Sequence, residues 1–277
     1  MICIQNKKSI LKTVNDFFSR AGFFCTEHTV LCLTGLLILS LCLKLAEHFL
    51  DPQLGRDASY YCHMAQDWYE NGVINRFSWT PPLLTFLMKS CAAIGISVQT
   101  AGLTLSILAG VLCTLAAYGI ALETTDNKKT ALIAAAFCAV HPGINTVSIQ
   151  IGRDALYLCL AGFTVWCALA GIRKKSCLLW CISGVFCSLS LLARFETLEF
   201  LPIAGCLLLV YALRRKLSWK QAGLYGFCFS LFTAVSFYGA IRGMKAEEMF
   251  QRYQKYFKGK IAGAEKQYFK FQTGGQK

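Results

Sequence analysis

Charged side chains are scarce in this chain and missing from long stretches of it. Asp, Glu, Lys and Arg make up 16% of the 277 residues and hydrophobic residues 55%, against about 25% charged in a typical soluble domain. With a mean hydropathy of +0.47, this balance excludes an ordinary soluble domain. A second absence is C-x-x-C or any zinc-ligand spacing, although the chain holds 15 cysteines. That gap argues against a zinc finger or a thioredoxin-like redox centre. Cys32, Cys42, Cys113, Cys138, Cys159, Cys167, Cys181, Cys187, Cys206 and Cys228 lie inside apolar stretches, where cysteine acts as a small hydrophobe. Neither a dinucleotide-binding nor a phosphate-loop glycine motif occurs. No internal repeat is visible.

What the chain does have is a series of apolar blocks approaching the roughly 20 residues a helix needs to cross the hydrocarbon core. The expected fold is all-α, a polytopic transmembrane helical bundle. Candidate spans are about 29–50, 100–122, 130–147, 154–172, 176–193, 198–213 and 221–242. The net charge of +13 sits mostly in short runs at span ends, a topology signal and not a nucleic-acid footprint. Lys7, Lys8, Lys12 and Arg20 precede the first block, which is too long for a signal peptide and has no small-residue cleavage site after it. A retained signal anchor with a cytoplasmic N-terminus is expected. Residues 9–24 form a basic amphipathic stretch suited to the cytoplasmic surface.

The apolar segment 81–96 decides the topology. If it crossed, Lys128-Lys129, Arg173-Lys174-Lys175 and Arg214-Arg215-Lys216 would all lie outside, inverting the positive-inside rule at three loops. It is short, opens on Pro81-Pro82 and carries Lys89 in its middle. Seven spans are therefore expected, with 81–96 a juxtamembrane element of a first outer loop running over 51–99. Residues 1–242 then form one membrane domain whose first 28 residues are cytoplasmic. Residues 243–277 form an amphipathic tail, read as a truncated outer loop; Ala246, Met249, Phe250, Tyr253 and Phe257 share one helical face in it.

Three constellations could carry chemistry, all at outer span ends. The first is Arg56-Asp57, opening a helix in which Asp57, Tyr60, Tyr61, Met64, Ala65 and Trp68 share a stripe, with His63, Gln66, Asp67 and Glu70 opposite. The second runs from His141-Pro142-Gly143 to Gln150-Ile151-Gly152-Arg153-Asp154. The third is Arg194-Phe195-Glu196, in a turn with almost no loop. Each has a plainer reading: Asp57 and Asp154 as helix caps, His141 as a loop residue, and Arg194 with Glu196 as a simple pair. A carboxylate beside guanidiniums at a membrane surface also suits work on a phosphorylated lipid, the acid taking a proton and the arginines holding phosphate oxygens.

The run from Asp57 to Gln66, then Glu70-Asn71-Gly72 and Pro81-Pro82-Leu83-Leu84-Thr85-Phe86-Leu87, resembles the first outer loop of polytopic GT-C glycosyltransferases. The likeness is to the protein-mannosyltransferase and aminoarabinose-transferase-like branch. Gly152-Arg153-Asp154 is similar to that family's second outer-loop Asp, and Arg194-Phe195-Glu196 to an Arg-x-Glu of some bacterial members. The match spans roughly residues 28–242. Two departures stand out: Ala58 follows the first Asp where many members have a second acid, and the further spans and soluble C-terminal domain common in the family are not present.

The resemblance implies transfer of a hexosyl or pentosyl unit from a polyprenyl-phosphate-linked donor to a glycan, lipid or protein acceptor at the outer face of the cytoplasmic membrane. It casts Asp57 as the base and places Asp154 beside it, orienting the acceptor or assisting a divalent cation. No other cofactor is implied. Arg153 or Arg194 would stabilise the departing phosphate, with Arg56, Tyr60, Tyr61 and Glu196 as further substrate contacts. The rival readings are a non-enzymatic carrier or flippase of lipid-linked intermediates, and an inactive membrane scaffold. A carrier calls for ionisable groups near mid-membrane or matched broken helices, whereas the charges here gather at span ends.

Overall fold

The structure, a computed structural model, describes residues 27–52, 55–72 and 81–243. The N-terminal amphipathic stretch at 9–24 and the tail from 244 onward lie outside the described residues. The described chain is helical throughout: α1 Thr29–Leu50, α2 Ala58–Asn71, α3 Leu83–Ala92, α4 Val98–Thr125, α5 Lys128–Val140, α6 Pro142–Ser148, α7 Arg153–Arg173, α8 Cys177–Ala193, a 3-10 turn Phe195–Glu199, α9 Phe200–Leu213 and α10 Trp219–Gly243.

Five of these segments are long and apolar enough to cross a membrane: α1, α4, α7, α9 with its preceding turn, and α10. The expected span at 130–147 is instead two helices, α5 and α6, bent by 55° between Val140 and Pro142. Proline cannot donate a backbone hydrogen bond and its ring clashes with the preceding turn, so the helix stops at Val140 and restarts. His141 caps the restart, its Nδ1 accepting from the Ile144 amide at 3.3 Å. That accounts for His141 without a metal. Counting the bent pair as one span gives six crossing segments among the described residues where seven were expected. The remaining one, α8, has 17 residues, about 25 Å at 1.5 Å per residue, short of the full hydrocarbon thickness. It packs between α7 and α10 and buries Ser183, Ser188 and Ser190 completely. Helix α3, with 10 residues, reaches only about 15 Å, half the hydrocarbon thickness.

The two ends of the bundle differ in chemistry. At one end Arg173 closes α7 and pairs with Glu123 at 2.5 Å and Asp126 at 2.6 Å, tying it to the end of α4. The turns here end in left-handed residues, Asp126, Lys175 and Arg215. The core at this level joins Ala168, Ile172, Trp180, Leu208, Ala212, Leu217, Tyr225 and Phe229. All three basic runs therefore cluster at this end. At the opposite end α2 and α3 lie over the bundle: Ala58, Tyr61 and Ala65 pack with Leu84, Met88 and Ile151, and Met64 and Trp68 with Leu83, Leu160, Leu192 and Ile241. Leu50 leads toward this end and Val98 starts from it, since Gly55 touches Gln150 and Gly102 touches Ile151.

The α2 stripe holds from Tyr61 onward and departs from expectation only in the first turn. Ala58, Tyr61, Met64, Ala65 and Trp68 are buried, while Asp57 and Tyr60 are exposed. Tyr61 at the stripe centre takes the core position, which turns Tyr60, one residue earlier, outward. The opposite face carries a His63–Asp67 ion pair at 3.1 Å and a Gln66–Glu70 hydrogen bond.

Candidate functional site

At the end away from the basic runs lies a half-open cavity of about 190 Å³. Three segments build its wall: Gly55, Arg56, Asp57 and Tyr61 from the start of α2; Val147 and Gln150 through Asp154 from the α6–α7 connection; and Arg194 from the end of α8. Of the expected site residues, Arg56, Asp57, Tyr61, Arg153, Asp154 and Arg194 face this cavity. Tyr60 does not line it, and Glu196 sits behind Arg194. Residues scattered over 140 positions of chain thus share one wall because two connections meet there. Gly55 makes the closest approach: it adopts φ +89°, and a Cβ there would lie 3.0 Å from Cβ of Gln150.

The polar groups are engaged unequally. Arg194 Nη1 donates to Asp154 Oδ1 at 2.7 Å and its Nη2 to Glu196 Oε1 at 3.0 Å. Its guanidinium also lies 5.4 Å from the centre of the Tyr157 ring. Both ion pairs are part-exposed, so each is worth at most about 1 kcal/mol; what they fix is position. Arg194 holds Asp154 toward the cavity and does not meet a ligand as a bare cation. Asp57 stands at the N-cap of α2 yet makes no side-chain capping bond, and its carboxylate has no ion pair among the described residues. Asp154 lies in the first turn of α7, behind a Gly152 cap with no side-chain bond. Arg153 has no ion pair among the described residues either.

Tyr61 supplies a hydroxyl at the wall. Burial pushes its phenol above the usual range; Arg153 pulls the other way, and Asp57 and Asp154 add to the rise. It therefore stays protonated at neutral pH and can donate. Asp57 and Asp154 are the carboxylates on the wall, and no third His, Cys, Asp or Glu closes with them at ligand distance among the described residues. A divalent cation there would have to complete its shell from water or substrate.

A polar tie that sequence reading missed fastens the helices behind the cavity wall. Lys44, in the apolar run of α1, is completely buried. Its Nζ donates to Ser40 Oγ at 2.8 Å and to Asn145 Oδ1 at 2.8 Å, and Thr114 Oγ1 also donates to Ser40 Oγ at 3.3 Å. One turn toward the cavity, Thr146 Oγ1 donates to Glu47 Oε1 at 3.2 Å. These bonds fasten α1 to α6, the short helix that runs into the cavity wall. Charges therefore do not all gather at span ends. The signal was a lone lysine within an apolar run, which inside a membrane is costly and calls for partners.

A family model described as dolichyl-phosphate-mannose-protein mannosyltransferase matches residues 80–238. No curated protein matches the chain. The matched stretch includes Arg153, Asp154, Arg194 and Glu196 and begins after Arg56, Asp57 and Tyr61. It takes in more than half of the chain, from α3 almost to the end of α10, including every helix of the α7–α10 packing. The chain belongs to the dolichyl-phosphate-mannose-protein mannosyltransferase family and is a multi-pass membrane glycosyltransferase of the GT-C type.

Proposed function

We propose that the protein transfers a sugar from a polyprenyl-phosphate-linked donor to a hydroxyl-bearing acceptor at the outer face of the membrane, in the cavity between α2, the α6–α7 connection and the end of α8. The observation that carries this reading is the division of labour on the cavity wall. Among the described residues Asp57 presents a carboxylate without an ion pair and Arg153 a cation without one, and Asp154 is held in place by Arg194. Charge-neutralising groups and a proton acceptor are what displacement at an anomeric carbon attached to phosphate requires.

The step is an inverting single displacement. Asp57 accepts the proton of the acceptor hydroxyl as that oxygen forms its bond to the anomeric carbon. The bond from that carbon to the phosphate oxygen breaks, and polyprenyl phosphate leaves with the electron pair. Arg153 and Arg56 stabilise the charge developing on the phosphate, and the Tyr61 hydroxyl donates to an oxygen of sugar or phosphate. Asp154, oriented by Arg194 and Glu196, fixes the acceptor. The position of the basic runs at the far end of the bundle supports an outer location for the cavity. Lys44 does not favour a carrier, because its ammonium is occupied by Ser40 and Asn145.

The test is Asp57→Asn in purified full-length protein reconstituted in liposomes with polyprenyl-phosphate sugars, following release of polyprenyl phosphate. The amide keeps the shape and loses the proton acceptor, so turnover should fall by about 10²–10⁴-fold with size-exclusion behaviour unchanged. Near-normal turnover by the variant would remove Asp57 from the chemistry.

A further inference from the structure

At the basic end, far from the cavity, three thiols converge. Cys177 opens α8 and Cys181 follows one turn later on the same face. Cys228 reaches them from α10. Their sulfurs all lie within 4.8 Å of one another, with Cys177 Sγ and Cys228 Sγ 3.1 Å apart. The chain has many cysteines, yet among the described residues no other group of three His, Cys, Asp or Glu side chains meets at such distances. We infer that Cys177, Cys181 and Cys228 form a binding site for a thiophilic d10 cation, Cu(I) on three thiolates or Zn(II) on three thiolates and a water.

The geometry suits the ion. A metal–sulfur bond of about 2.3 Å places three sulfurs in a plane about 4 Å apart. The Cys177–Cys228 edge, at 3.1 Å, would open by roughly 1 Å to reach that separation, within the reach of a cysteine side-chain rotation, and the other two edges lie within 4.8 Å. The ligands are held by packing. Trp180, completely buried, stacks on Tyr225 with centroids 5.8 Å apart and meets Phe229 edge-on at 6.0 Å. Tyr225 and Phe229 bracket Cys228 on α10, so the α8–α10 contact is fixed at the level of the thiols.

Chemistry selects the class of ion. The donor set is sulfur only, which favours Cu(I) and Zn(II) over the oxygen-seeking Mg, Ca and Mn. Binding deprotonates the ligands: three thiols and one Cu(I) give a Cu(I)–trithiolate of charge −2 and release three protons. This end of the bundle is basic, with Lys174 and Lys175 just before Cys177 in sequence and Lys220 in the first turn of α10. The three cysteines are half-buried, and Cys177 sits at the helix start, so an ion can enter from the aqueous side. Bound there, it would clamp α8 to α10, and α8 carries Arg194 at its other end.

Three purified full-length proteins in detergent, kept reduced, decide the matter: the wild type, Cys177→Ser/Cys181→Ser/Cys228→Ser, and Cys32→Ser/Cys42→Ser/Cys206→Ser, which removes as many thiols elsewhere. Each is titrated with Cu(I) against a Cu(I)-specific chelator, and separately with Zn(II) against a zinc-specific chelator. The wild type and the control should retain one more tightly held ion per chain than the first variant, and X-ray absorption should show three sulfurs about the metal. Retention of Cu(I) marks the three-coordinate form and of Zn(II) the hydrated one. A single Cys181→Ser, with monodispersity checked, should weaken retention by at least about tenfold and guards against misfolding of the triple. Equal retention in wild type and triple variant would overturn the site, and so would a Cys177–Cys228 disulfide in protein isolated with its thiols blocked at lysis.

Discussion

The hydrogen bonds of Lys44 set up an unusual asymmetry between two single substitutions. Asn145→Leu removes a neutral side chain of nearly the same size, yet leaves a buried ammonium with Ser40 Oγ as its remaining acceptor. A hydrogen bond to a charged group contributes about 1.5–3 kcal/mol, and the orphaned charge bears that loss. Lys44→Met removes both bonds together with the charge, and the group it leaves without this donor is the neutral Asn145 Oδ1, since Ser40 Oγ keeps Thr114. It should therefore cost about 1 kcal/mol, the low end for a buried neutral acceptor and less than for an orphaned ammonium. Combining the two should recover most of what Asn145→Leu loses, a coupling of at least about 1 kcal/mol between residues in direct contact. The assay is thermal unfolding of the three variants and wild type in one detergent, followed by tryptophan fluorescence. Equal, additive losses for the two single variants would show that Lys44 is held by packing alone and refute the reasoning.

Other expectations follow from close approaches and pairs. Gly110→Ala should destabilise more than Gly102→Ala in the same assay. A Cβ at Gly110 would lie 2.0 Å from Ser148 Oγ and 2.6 Å from Lys44 Cε, whereas at Gly102 the nearest atoms are the ends of Ile151 and Met88 side chains. Asp154→Asn and Arg194→Gln should be strongly non-additive in sugar transfer, because Arg194 acts through the carboxylate it holds at 2.7 Å; additive losses would give the arginine a separate role. Cysteine labelling at position 99 in intact cells should come from the outer face, since α3 is too short to cross and α4 starts beside the cavity. Labelling from the cytoplasm would overturn both the topology and the proposed site.

Much of the architecture was legible because the bilayer leaves few choices. Where backbone polar groups cannot meet water, an apolar block of about 20 residues must be helical, and the first span was read at 29–50, matching α1. The break at His141-Pro142 was not legible from composition, because the apolar character continues through it; the sign was the proline itself. The buried face of α2 was legible in Tyr61, Met64, Ala65 and Trp68; Tyr60 fits the same stripe by spacing, and only the packing of Ile151 and Leu84 with Tyr61 decides that Tyr60 turns outward. Lys44 was overlooked because charge was read for topology, at span ends. The sign of the thiol triad was Cys177-x3-Cys181, which falls within the C-x2–4-C spacing of metal ligands and corrects the reading that no such spacing occurs. In an apolar helix it passes for packing cysteine, and the third partner arrives from α10, with α9 between them in sequence.

The cavity also shows why family membership and site assignment are separate matters here. The matched stretch supplies Arg153, Asp154, Arg194 and Glu196, a group that by itself pairs off: two acids around one arginine, and one spare cation. What such a group lacks is an uncommitted carboxylate. The fold brings one from outside the matched stretch, because the chain leaving α1 turns through Gly55 against Gln150 and sets Asp57 on the same wall. The turn needs glycine twice over, for its positive φ and for the 3.0 Å that a Cβ would have to share. Gly55→Ala should therefore reproduce much of the loss of Asp57→Asn without touching any charged group. In the liposome assay it should lower turnover by at least about tenfold, since misplacing a reacting group by about 1 Å can cost 10²-fold. Full turnover in Gly55→Ala would mean that the position of Asp57 does not depend on this contact, and that the base must be sought within the matched stretch.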